Sequence, residues 1–164
     1  MKKNILILSA IAFFIVSSCK KKIDEQIPET KTPVVTKTDL ISAKAWKLTA
    51  VTVSPGIFLQ GGPLITDFYP YIENCKKDDN QRFNLGGKGI IDEGASKCNP
   101  EDPQTEEFSW AFANNETKLI LDEDTSTILQ LDSNTLKLST AVEGSEVGGE
   151  HGRIYTFLRT FKNN

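Results

Sequence analysis

From residue 45 onward, apolar and polar residues alternate with a period of two, in short segments broken by turn residues. Period two puts every second side chain on one face of an extended strand, so the pattern constrains this part of the chain to β-structure with one apolar face. Trp46, Leu48 and Ala50 alternate with Lys47 and Thr49; Phe83 and Leu85 with Arg82 and Asn84; Phe108, Trp110 and Phe112 with Ser109 and Ala111. Ile90-Ile91, Leu119 with Leu121, Leu129 with Leu131, and Leu136 with Leu138 follow the same logic. The segment Arg153 to Phe161, with Tyr155, Phe157 and Phe161 on one face, completes eight candidate strands. Gly86-Gly87-Lys88-Gly89, Asn114-Asn115, Asp122-Glu123-Asp124 and Asp132-Ser133-Asn134 supply turns short enough to make successive strands antiparallel neighbours. The predicted fold class is all-β: an eight-stranded antiparallel up-and-down barrel, which leaves no open edge, with a sandwich as the alternative.

Two segments of the 164-residue chain break the pattern. Residues 55–79 carry Pro55, Gly56, Gly61, Gly62, Pro63 and Pro70 and fit no strand template, yet Phe58, Phe68, Tyr69 and Tyr71 are too many aromatics for a solvated loop. They are expected to pack across one end of the barrel as a lid, pinned near Cys75. The other exception is the N-terminus. Lys2 and Lys3 precede an apolar run from Ile5 to Val16, too short to span about 30 Å of hydrocarbon and shaped like the n-region and h-region of an export signal. The run ends in Val16-Ser17-Ser18-Cys19, which resembles the bacterial lipoprotein box. The resemblance implies cleavage after a 1–18 signal peptide and diacylglycerol on the Cys19 thiol, hence a lipid-anchored envelope protein. Lys20 after the cysteine points to the outer membrane. With Lys2 and Lys3 removed, the mature chain has 17 basic and 22 acidic residues and a net charge of −5. Its hold on the membrane is therefore expected to come from lipid, with Lys20-Lys21-Lys22 the one patch able to touch anionic headgroups.

Residues 19–37 read as the lipidated terminus and a tether, Pro-punctuated and charged, with a maximum reach of roughly 60 Å. Thr36 and Asp39 have capping-box spacing, so a short helix should open the 38–164 domain. Export to an oxidising compartment leaves Cys75 and Cys98 as a disulfide pair, with free thiols or a metal site as the alternatives. One His and no closely spaced cysteines argue against zinc, and no metal or other cofactor is expected.

Taken together, the lipobox, the spacer, Ala45-Trp46-Lys47-Leu48-Thr49-Ala50-Val51, Cys75-Lys76-Lys77-Asp78-Asp79 before Arg82-Phe83-Asn84, Lys97-Cys98, Phe108-Ser109-Trp110 and Leu136-Lys137-Leu138 resemble the lipocalin-like domain of small bacterial lipoproteins. The resemblance spans about residues 38–161. It implies a lipocalin-type barrel with no catalytic residues. It also implies a structural pair in which an arginine packs on the tryptophan opening strand one, here Arg159 on Trp46, although Lys44 stands where that family has glycine.

No catalytic constellation emerges. His151 is alone in a Gly-rich loop, and Asp122-Glu123-Asp124 begins like a calcium loop but has Thr127 and Ser133 where Gly and Glu are required. The acidic balance argues against nucleic acid. An enzyme is not expected. The functional expectation is a lipid-anchored protein binding a small apolar ligand or an envelope partner. The alternative is a protein-interaction module with a filled barrel, since Trp46, Phe83, Phe108, Trp110, Phe112, Tyr155 and Phe157 all point inward and leave little room.

Overall fold

The structure is a computed structural model that describes residues 34–58 and 62–163. The expected signal peptide, Cys19 and the tether up to residue 33 lie outside the described residues. Thr36 caps helix α1 (Lys37–Ser42): its hydroxyl accepts from Asp39 N–H and its own N–H donates to the Asp39 carboxylate, the reciprocal pair that the spacing predicts. Nine strands follow: β1 (Ala45–Phe58), β2 (Leu64–Asp67), β3 (Asn80–Asn84), β4 (Lys88–Asp92), β5 (Thr105–Ala113), β6 (Lys118–Leu121), β7 (Asp124–Leu131), β8 (Thr135–Glu143) and β9 (Ile154–Asn163). A short helix α2 (Asn74–Lys77) precedes β3. Each strand from β3 to β9 pairs antiparallel with its successor, β3 also pairs with β1, and β9 returns to β1. The result is the closed eight-stranded barrel expected from the alternation; β2 is a ninth strand pairing only with the far half of β1.

Three expectations are corrected. Residues 55–79 are not strand-free: β1 runs on through a cis Ser54-Pro55 bond and Gly56 to Phe58, and the chain returns as β2. Pro55 is tolerated because it sits at a register shift of the β1–β2 ladder, where no amide is required of it. Second, two bulges change which residues face inward. A shift between Leu48 and Ala50 moves the buried set of β1 from Trp46 to Val51 and Val53, and one between Ile128 and Gln130 turns Leu129 outward, 58% exposed. Leu85 is likewise exposed, because β3 ends at Asn84. Third, the aromatic residues do not occupy the whole interior: beside them lies a partly open cavity.

The core divides in two. One cluster joins α1 to the barrel through Ile41, Trp46, Phe83, Leu119, Leu136 and Phe161. Trp46 is fully buried and its Nε1 donates to Ile41 O at 2.7 Å, which docks the helix. Phe83 packs edge-on against both Phe108 and Trp110. Gly89 makes room for this: a Cβ there would lie 2.2 Å from Phe108 Cζ. The second cluster gathers Val51, Val53, Ile57, Ile65, Tyr155 and Phe157. Phe68, Tyr69 and Ile72 pack on it, so the aromatic excursion does settle on the barrel, while Phe58 and Tyr71 stay more than half exposed.

Candidate functional site

A cavity of about 630 Å³ is lined by members of both clusters. One side is apolar: Val51, Phe68, Ile72, Val142, Val147 and Phe157. The other is polar and largely acidic, with Asp79 before β3, Gln81 on β3, Glu93 after β4, Glu106 on β5 and Asp124 at the start of β7. The β ladder explains this placement. Gln81 pairs with Ile91, Ile91 with Glu106, and Leu121 with Asp124, so these positions share the inward face with the core residues further along the same strands, Phe83 on β3, Phe108 on β5, Leu119 on β6 and Ile128 on β7.

Lys76 on α2 reaches into this wall. Its Nζ lies 3.1 Å from Glu93 Oε1 and 3.9 Å from Asp79 Oδ2. The hydrogen bond to Glu93 holds the ammonium above its ordinary pKa, against an opposing effect of burial. Glu93 is 6% exposed, and its Oε2 has no partner; Asp79 Oδ1 is buried and unpartnered as well. Burial pushes the Asp79 carboxyl above the usual range; the charge of Glu93 adds to this and Lys76 opposes it.

Arg159 is the second cation of the cavity. It was expected on Trp46, and the register separates the two: Trp46 pairs with Asn163 and Arg159 with Val51, leaving Phe161 between them on the inward face of β9. The guanidinium instead donates from Nη2 to Ser126 Oγ and Thr140 Oγ1, both at 3.0 Å, and its Nε is buried without a partner. Desolvation holds Arg159 below its ordinary pKa, with the charge of Asp124 acting the other way. Inward-facing hydroxyls on β7 and β8, rather than a ring at the barrel end, accommodate the charge.

The remaining sequence candidates lie elsewhere. Cys75 and Cys98 form a disulfide with Cα atoms 5.1 Å apart, tying α2 to the loop after β4. Glu73 approaches this pair, the only group of metal-type ligands clustered among the described residues, and the sulfurs there are bonded to each other. His151 projects into solvent, 3.6 Å from Glu143. Asp78, adjacent to the cavity's Asp79, is a latch: its Oδ2 accepts from the N–H groups of Ala95 and Ser96 at 2.8 and 2.9 Å. Asp79, Glu93, Glu106 and Asp124 were not singled out as an inward-facing set. The signal was parity: each lies an even number of residues from an inward apolar residue, Asp79 from Phe83, Glu93 from Ile91, Glu106 from Phe108, Asp124 from Ile128.

No protein-family model, curated protein or solved structure matches this chain.

Proposed function

We propose that this protein is a lipid-anchored envelope protein that binds a small amphipathic molecule inside its barrel and does not transform it. The observation that carries the reading is the cavity itself. At about 630 Å³ it lies within the roughly 300–1,000 Å³ of small-molecule sites, and one apolar wall facing one polar wall suits a ligand with both characters. The anchor rests on Lys2-Lys3, the Ile5–Val16 run and Val16-Ser17-Ser18-Cys19; the Cys75–Cys98 disulfide is consistent with export. Cys19→Ser is expected to move the protein from the membrane fraction, which we place at the outer membrane, to a soluble or uncleaved form, read by fractionation and intact mass.

The binding test uses the neutral dye N-phenyl-1-naphthylamine on the soluble domain. Saturable fluorescence enhancement is expected, and Val142→Trp, which fills the apolar wall, should weaken it by about tenfold or more, equivalent to 1.4 kcal/mol. Native mass spectrometry of protein from its own host should then reveal a bound small molecule that the variant lacks. A second reading, docking of an envelope protein at the rim, is favoured by Phe58 and Leu64, cross-strand partners each more than half exposed. Dye binding that is absent from wild type would leave only that reading.

A further inference from the structure

The charges around the cavity are unbalanced. Asp79, Glu93, Glu106, Asp124 and Glu146 line it, against Lys76 and Arg159 alone. Lys76 is already engaged with Glu93 Oε1, and Arg159 donates to two neutral hydroxyls. An acidic cluster on a surface would say little, but two of these carboxylates are taken out of water with an oxygen unpartnered: Glu93 Oε2, on a residue 6% exposed, and Asp79 Oδ1. Leaving such an acceptor buried and unmatched is costly, which calls for a donor from elsewhere. A metal ion is a poor candidate for it. Among the described residues the one group of three ligand atoms within 4.8 Å of one another is Glu73, Cys75 and Cys98, so the cavity carboxylates do not converge on a single ion. Dispersed negative charge opposite an apolar wall fits a larger cation.

Resting on the small-ligand reading above, we propose that the ligand is an amphipathic organic amine. Its ammonium donates to Glu93 and Asp79, and its apolar body lies along Val51, Phe68, Val142 and Phe157. A hydroxyl or carbonyl on the same molecule would meet the unpartnered Nε of Arg159. Asp79 is faced by Lys76 of α2, by Asp92 and Glu93 at the end of β4, and by its neighbour Asp78; Glu106 of β5 acts on Lys76. Because a bound ammonium favours the ionised Asp79, affinity should rise as pH rises through the raised pKa of that carboxyl, with proton release on binding below it.

The test is displacement of N-phenyl-1-naphthylamine by decylamine, decanol and decanoate at neutral pH. Decylamine should act at about tenfold lower concentration than either of the others, the scale of one charge-assisted hydrogen bond. Glu93→Gln should remove that advantage. Asp79→Asn should weaken decylamine while raising the melting temperature of the empty protein, since a desolvated charge is removed; a purely structural residue would not move the two in opposite senses. If Glu93→Gln does not fold, Glu106→Gln should reduce the amine preference instead. Decanol or decanoate competing as well as decylamine would overturn the amine and leave the cavity reading standing. A wild-type protein that takes up no dye would overturn both.

Discussion

Trp46→Ala should lower stability by about 4 kcal/mol, the largest loss available to a single side chain in this barrel. The indole is fully buried and sits where five elements meet: it belongs to β1, shares a cluster with Phe83 of β3, Leu136 of β8 and Phe161 of β9, and donates to Ile41 of α1. Truncation has two separable consequences. The vacated volume cannot close without moving strands held by ladders on both sides, so the void persists. The Ile41 carbonyl also loses its partner within a buried site, and α1 loses the bond that docks it. Trp46→Phe separates these, since it keeps most of the volume and removes only the donor; a loss of about 1–2 kcal/mol is expected there. Urea unfolding of the mature domain reads both. A Trp46→Ala loss under 1 kcal/mol would mean that the α1 end of the barrel is loosely packed, contrary to the complete burial of Ile41 and Trp46.

Much of this barrel is legible in alternation alone, and the reasons for the rest are specific. All eight barrel strands stand where period two places them, and Thr36 with Asp39 marks the helix start at one residue's precision. The bulges left no trace in composition. Nothing about Thr49 or Leu129 announces an extra residue, yet each bulge moves the apolar set to the other parity, which is why Ala50 and Leu129 were placed inside and Val51 and Ile128 were not. The cavity was missed for a related reason. Inward positions were sought as apolar ones, and the aromatic residues suggested a packed interior. Those aromatics occupy one stretch of their strands: Phe83, Phe108, Trp110 and Phe161 share the α1 cluster. Following the same parity along those strands gives Gln81, Glu106 and Arg159, and the parity of Ile128 on β7 adds Asp124, the polar residues that line the cavity. In this chain the charged residues in phase with inward apolar ones are those that line the cavity.

The second large effect concerns the Cys75–Cys98 bond. Replacing both cysteines by serine is expected to cost about 3 kcal/mol, the chain-entropy value for closing a loop of this length, and to lower the melting temperature by roughly 10 °C. The bond ties α2 to the loop beyond β4, and between its ends lies the β3–β4 hairpin, already held by its own ladder. In the chain-entropy account the stabilisation comes from the constrained unfolded chain; in the folded protein the bond fixes α2, the element that presents Lys76 to Glu93. Asp78 is the second restraint on the same segment. Partial desolvation pushes its carboxyl upward, but the hydrogen bonds from Ser96 and Ala95 outweigh this and hold it below the ordinary range. A carboxylate whose pKa is depressed by folding stabilises the fold at pH above its unfolded value, and the contribution disappears as pH falls through the folded one. Protonation of Asp78 should therefore lower stability with the disulfide present as well as without it. In Cys75→Ser/Cys98→Ser, which has less stability in reserve, it should be read as a decline in stability below about pH 4, where free aspartate protonates. Adding Asp78→Ala to that variant should lower stability at neutral pH and make the acid decline shallower, so the two curves converge at low pH. Parallel curves would show instead that Asp78 does not hold α2, and that the disulfide alone keeps Lys76 at the cavity wall.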